Sequence, residues 1–123
     1  MLLKKTLPPE VSAVREARRF LERALTHAGV SEDKIDDVIL LTSEVVTNAV
    51  VHAATMAELR LSVDSSSVRV EVADGSATRP ERRVFDFLSA SGRGLSIVAT
   101  VAADWGVETV PGDGKYVWFV ISA

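Results

Sequence analysis

A chain of 123 residues with 47% hydrophobic and 25% charged side chains holds one domain's worth of core and is too apolar for wholesale disorder. A formal charge of -3 gives it no general attraction to nucleic acid, and the absence of cysteine excludes disulfides, thiolate zinc sites and thiol nucleophiles. No apolar signal core opens the chain and no run approaches the roughly 18 apolar residues of a membrane span, which predicts a soluble, cytoplasmic protein.

Leu2 to Leu7 reads as a short edge strand, and Pro8-Pro9-Glu10 then opens a helix, with a proline pre-set for the first turn and an acid near the positive end of the dipole. Val11, Val14, Ala17, Phe20, Leu21, Ala24 and Leu25 form its apolar stripe to about Ala28, and Gly29 is placed to end it. Arg15, Arg18, Arg19 and Arg23 share one segment and read as a solvated helix face. Ser31 is an N-cap, with Glu32 and Asp33 in the first turn of a second helix that continues to about Ala54.

That second helix carries the stretch that organises the rest. Glu44, Asn48 and His52 recur at i, i+4 and i+8 and so fall within about 80° of the helix circumference. Val38, Ile39, Leu40, Leu41, Val45, Val46, Ala49, Val50 and Val51 spread nearly all round it. A helix that apolar is largely buried, and an unpaired buried carboxylate or amide costs about 1–3 kcal/mol or more. The polar residues therefore meet a partner, a cation or a ligand, or else Glu44 and Asn48 pair along a solvated stripe.

From Glu58 the period changes to two. Leu59, Leu61 and Val63 alternate with polar residues, then Val68, Val70 and Val72 do the same, and Ser65-Ser66-Ser67 is short enough to join them as an antiparallel hairpin. Asp74-Gly75-Ser76 closes the second strand. The stretch to Ser91 has no clean period and is the chain's long irregular segment, a kind that is usually functional or mobile. A third helix, about Leu95 to Ala103, follows Gly92-Arg93-Gly94, and strands Trp105–Val110 and Tyr116–Ile121 flank a Pro111-Gly112-Asp113-Gly114 turn. This order predicts a two-layer α/β sandwich: a mixed, mainly antiparallel sheet with about three helices on one face.

Two further features carry chemistry. Gly92-Arg93-Gly94 before a helix leaves backbone N–H groups aimed at one point, as helix starts that hold phosphates do, although a Gly-x-Gly can equally be a tight loop. Asp74 at a strand end is either a turn-former or a functional carboxylate.

Together, Glu44 and Asn48 on a buried helix, Asp74-Gly75 after a strand, Gly92-Arg93-Gly94-Leu95 before a helix and a final hairpin resemble, in order and spacing, the nucleotide-binding domain of the GHKL (Bergerat-fold) ATPases. Within that superfamily the chain looks like the stand-alone anti-sigma-factor serine/threonine kinase branch, related to histidine-kinase ATP-binding domains. The resemblance covers nearly the whole chain and includes the Leu7-Pro8 entry, the Arg-rich first helix, Trp105-Gly106 and Val117-Trp118-Phe119.

The resemblance implies ATP and Mg²⁺ as cofactors. The family's Glu-x-x-x-Asn motif falls on Glu44, which polarises the attacking hydroxyl or water, and on Asn48, which holds Mg²⁺. Both roles suit the chemistry, since a carboxylate can take the proton and an amide oxygen is a hard ligand. Asp74, with Gly75, falls on the adenine-reading aspartate, whose carboxylate accepts from the exocyclic amino group and so selects adenine over guanine. Gly92 and Gly94, with Arg93 and Leu95, fall at the phosphates, residues 75–91 become a lid, and His52 lies near the phosphate end as a neighbouring or packed group.

The sequence departs from the family in two places. Asp74-Gly75-Ser76-Ala77-Thr78 stands where the family has Asp-x-Gly-x-Gly, with Ser76 in place of a glycine, and Gly114-Lys115, with Tyr116 nearby, stands where the family has Gly-Thr. The first functional reading is a kinase that binds a sigma factor or related regulator and phosphorylates a STAS-type antagonist, with no direct nucleic acid or membrane contact. The resemblance leans towards a homodimer. The alternative is a non-catalytic module of the same fold with weak or no ATP turnover, which Ser76 and Tyr116 favour. A detached histidine-kinase catalytic domain is disfavoured, because the chain has no room for a dimerisation helix pair with a phosphoacceptor histidine.

Overall fold

Five strands and two helices make up the described residues of the computed structural model, which are 2–47, 49, 56–74, 101–110 and 114–122. In chain order they are β1 (Leu2–Leu7), α1 (Ser12–His27), α2 (Glu32–Thr47), β2 (Ala57–Val63), β3 (Ser67–Asp74), β4 (Asp104–Val110) and β5 (Gly114–Ser122). The strands form one sheet in the order β1-β2-β3-β5-β4, with β1 at an edge as expected. Every described pairing is antiparallel, so the parallel component of a mixed sheet is not seen among them. The cause is the position of β5. β3 and β4 run in the same direction, but β5 lies between them and pairs with both.

The helices start and stop for local reasons. α1 begins at Ser12, later than the prolines suggest, because Ala13 N–H bonds the Glu10 carbonyl and Val14 N–H bonds that of Val11, a tighter i→i−3 turn. Glu10 is thus left outside, and the first turn of α1 contains no acid. At the other end Val30 N–H reaches back to Leu25 O and Gly29 N–H to Thr26 O. This is a Schellman arrangement, and it requires the φ of +80° that Gly29 adopts. In α2, Ile35 N–H bonds the carbonyl of Ser31, which fits Ser31 at the N-cap position. Of the third expected helix only the end at Val101 is described, and Ala102 is already non-helical.

Periodicity decides which side of each element is buried. Leu21, Leu25, Val38, Leu41, Val45 and Val46 from the helices close over Leu59, Leu61, Val68, Val70, Phe119 and Ile121 from the sheet. The four arginines of α1 are exposed, as the sequence suggests. In the apolar layer, the buried Thr42 Oγ1 on α2 has no hydrogen-bond partner among the described residues. Thr42→Val removes that unpaired hydroxyl at nearly constant shape, and is expected to raise stability by about 1 kcal/mol in urea unfolding. A loss of similar size would mean that the hydroxyl is bonded in solution.

The hairpin between β2 and β3 is held by Asp64, whose Oδ1 accepts from the backbone N–H groups of Ser66 and Ser67, both at 2.8 Å. These bonds, the Ser66 backbone N–H first, hold its carboxyl below the usual aspartate range.

The opposite face of the sheet carries a transverse row. Lys4, Arg60, Glu71, Trp118 and Gly106 lie side by side across all five strands. Arg60 bonds Glu71 at 3.2 Å, and the Arg69 guanidinium lies 4.5 Å from the Trp118 ring centre. The indole also lies against Gly106, where an added Cβ would come within 2.8 Å of Trp118 Nε1. Gly106→Ala is therefore expected to push the indole off its seat and to cost about 1–3 kcal/mol. Thermal unfolding checks this, and an unchanged midpoint would show that the indole moves freely.

Candidate functional site

The residues with chemistry lie on the helix-facing side of the sheet, and strand alternation puts them there. On β3 the buried positions are Val68, Val70, Val72 and, as the last residue of the strand, Asp74. Asp74 is thus paired as the last residue of a ladder. On β5 the same face carries Lys115, Val117, Phe119 and Ile121, and Gly114 enters the strand at a φ of 89°. The antiparallel register sets Asp74 directly opposite Lys115. Lys115 Nζ lies 2.8 Å from Asp74 Oδ2 and 3.0 Å from Oδ1. Their side chains are 3% and 6% exposed, so this is a buried, two-oxygen ion pair. Away from bulk water each charge depends on the other, and neither is stable there alone.

Glu44 is half-buried on α2, between Ser43 and the buried Val45 and Val46. α2 packs on β3 and β5, the two strands that carry the ion pair. The structure thus joins Asp74 to Lys115 by direct contact and gives Glu44 its place on the helix over their strands. Asn48, His52, Gly75, Ser76, Gly92, Arg93, Gly94 and Leu95 lie outside the described residues, as do residues 75–91, expected to form a lid, and the expected extension of the second helix from 50 to 54.

Two expectations about the final strand change. Lys115 reads in the sequence only as a departure from a Gly-Thr pair, yet it is the direct partner of the base-reading candidate. The signal was available, since Lys115 shares the parity of Phe119 and Ile121, and a lysine on a buried face requires an acid. Tyr116 is adjacent in sequence but belongs by alternation to the other face, with Trp118 and opposite Ala73. It does not share the side of the sheet on which Asp74 lies.

The donor set bears on the nucleotide implied by the resemblance. A buried carboxylate and a buried ammonium at one end of an apolar sheet face suit a planar ring edge that offers both a donor and an acceptor. The open groove between β1 and α1, lined by Leu3, Lys5, Arg19, Phe20, Arg23 and His27, contains none of the expected site residues. No described helix is long and apolar enough to cross a membrane.

Comparison with known proteins bears on the family and the fold. The sequence pattern of the family described as "Histidine kinase-like ATPase domain" matches residues 7–121. No curated protein matches the chain. Among solved structures, the fold is similar to the crystal structure of the RsbU and RsbW domains of Rv1364c from Mycobacterium tuberculosis, with a TM-score of 0.75 at 20% identity. That match takes in 100% of this chain and 33% of the other, so the chain spans about a third of its length.

Proposed function

The chain belongs to the histidine kinase-like ATPase domain family, and from that premise we propose that it is an ATP-binding regulatory protein, a serine/threonine kinase of the anti-sigma-factor type. In this reading it holds a sigma factor or related regulator and phosphorylates a STAS-type antagonist. The observation that supports the reading best is the juxtaposition of Asp74 at the end of β3 with the Gly114-Lys115 start of β5, under a helix that carries Glu44. This is the order of parts that such a nucleotide site needs. The likeness to a structure containing an RsbW domain supports the choice of branch.

Bound ATP with Mg²⁺ supplies the phosphoryl group and an ion that neutralises its charge. The rest is done by side chains. Asn48, four residues after Glu44 in the sequence, would offer an amide oxygen to the ion. Glu44 accepts the proton of the serine or threonine hydroxyl that attacks. Gly92, Arg93, Gly94 and Leu95 present backbone N–H groups and one guanidinium to the phosphates, and Asp74 with Gly75 receives the base.

Titration calorimetry with ADP and ATP, with and without Mg²⁺, tests the reading. Wild type is expected to bind both nucleotides and to bind ATP more tightly with the metal. Asn48→Ala is expected to remove most of that metal dependence while melting at nearly the wild-type temperature. Absence of any nucleotide binding by wild type would overturn the proposed function. An unchanged Mg²⁺ response in folded Asn48→Ala would remove Asn48 as the ligand.

A further inference from the structure

β1 is an edge of the sheet, with β2 on one side and no described strand on the other. The backbone N–H and C=O groups along that outer side are a template for a further strand. α1 packs over β1 and β2, and along the edge β1 and α1 leave an open groove. Leu3, Phe20 and Ala24, half-buried against the core, form its floor. Arg19 and Arg23 form its rim; both are exposed, and neither is joined to an acid among the described residues. Lys5, by contrast, is paired with Glu16 at 3.7 Å. Two uncompensated cations over an apolar floor stand out on a chain whose formal charge is -3.

We propose that this groove docks an acidic, extended segment of a partner protein, which adds to β1 as a further strand. The spacings agree. Arg19 and Arg23 are four residues apart on α1, or about 6 Å along its axis, and same-face side chains of a strand recur about every 6.6 Å. Acids at alternate positions of the segment therefore reach successive arginines, while an apolar residue on the same face covers Leu3 and Phe20. Main-chain bonds to β1 supply affinity, and the side chains select the partner. Glu22, Glu32 and Asp36 border Arg23 from the neighbouring groove between α1 and α2, so the cationic rim ends there. A second copy of this chain does not suit the edge, because β1 carries Lys4 and Lys5 and no acid and would set lysines against lysines. Nucleic acid would meet only two unpaired cations on a protein of net negative charge. The surface shares no residue with the proposed nucleotide site, so either can fail and leave the other in place.

The probe is a fluorescein-labelled peptide with threonine at alternate positions and glutamate, glutamate, valine and valine between them, followed by anisotropy at low salt. Wild type is expected to bind it at least about tenfold more tightly than the same peptide with lysine in place of glutamate, and the difference should shrink as salt rises. Arg19→Glu combined with Arg23→Glu is expected to remove that preference while the protein melts near the wild-type temperature, since both side chains are exposed. In a strand only alternate residues turn their backbone groups towards a given neighbour. N-methylation of one alternate set of the peptide's nitrogens should therefore cost about tenfold or more, methylation of the other set should be tolerated, and hydrogen exchange of β1 should slow when the unmethylated peptide is bound. No binding by wild type, equal affinity for the lysine peptide, or unchanged preference in the folded double variant overturns the proposal, and so does binding indifferent to both methylations. Tighter binding of single-stranded DNA than of the peptide would give the groove to nucleic acid, and a homodimer that the double substitution dissociates would give the edge to a second copy. Either result also overturns it.

Discussion

Glu44→Gln is expected to lower phosphoryl transfer to a STAS-type antagonist by about 10²–10⁴-fold, the usual scale for loss of a general base. Glutamine keeps the size and hydrogen-bonding reach of the side chain but cannot take a proton. Nucleotide and partner affinities should therefore stay near wild type while the chemical step slows. The half-burial of Glu44 on a helix fixed by Leu41, Val45 and Val46 argues that the substitution leaves the helix in place. The assay is phosphate incorporation into a candidate antagonist at saturating Mg-ATP, with both proteins side by side. Transfer by Glu44→Gln at the wild-type rate would mean that another group activates the acceptor. A wild type that binds nucleotide and antagonist but transfers nothing would point to the non-catalytic module.

Lys115→Met is expected to lower the unfolding free energy by about 3–5 kcal/mol, because it takes the Lys115 ammonium away from the buried Asp74 carboxylate. The companion variant makes the result interpretable. With Asp74→Leu added, neither charge of the pair is left in the interior, and most of the lost stability should return, since apolar replacements for a buried pair are often neutral or stabilising. Urea unfolding of the four proteins forms a double-mutant cycle that isolates the coupling between the two residues. A loss below about 1 kcal/mol in the single variant would put the pair in water and not in the interior. Recovery of stability without recovery of nucleotide binding would show that the pair is kept for recognition.

Much of this arrangement is legible in the sequence, and the parts that are not share a cause. Strands β1, β2 and β3 and the end of α1 follow from alternation and from Gly29, which are local signals. The start of α1 differs because Glu10 spends its carbonyl on a tight turn before the helix begins, a choice between two nearly equal local hydrogen bonds. The all-antiparallel pairing depends on β5 entering between β3 and β4, which no local period encodes. The same holds for the candidate site. Asp74 stands out by its place after a strand, but its bond to Lys115 spans 41 residues and appears only once the register is known. Tyr116, read beside the site from adjacency in the chain, goes to the other face because strand neighbours alternate.

The place of β5 also sets an order of assembly. It is the last described strand in the chain, yet it lies inside the sheet. As the polypeptide leaves the ribosome, β1, α1, α2, β2 and β3 can associate with residues already made. β4 pairs only with β5 among the described strands, so its edge stays open until Gly114–Ser122 has emerged. Over the same interval β3 lacks its second neighbour, Val70 lacks Phe119 across the ladder, and Asp74 waits without Lys115. The nascent chain thus carries two unsatisfied strand edges at once, the kind of surface that recruits other chains. One late insertion closes both edges and, in the same step, completes the ion pair at the end of the sheet.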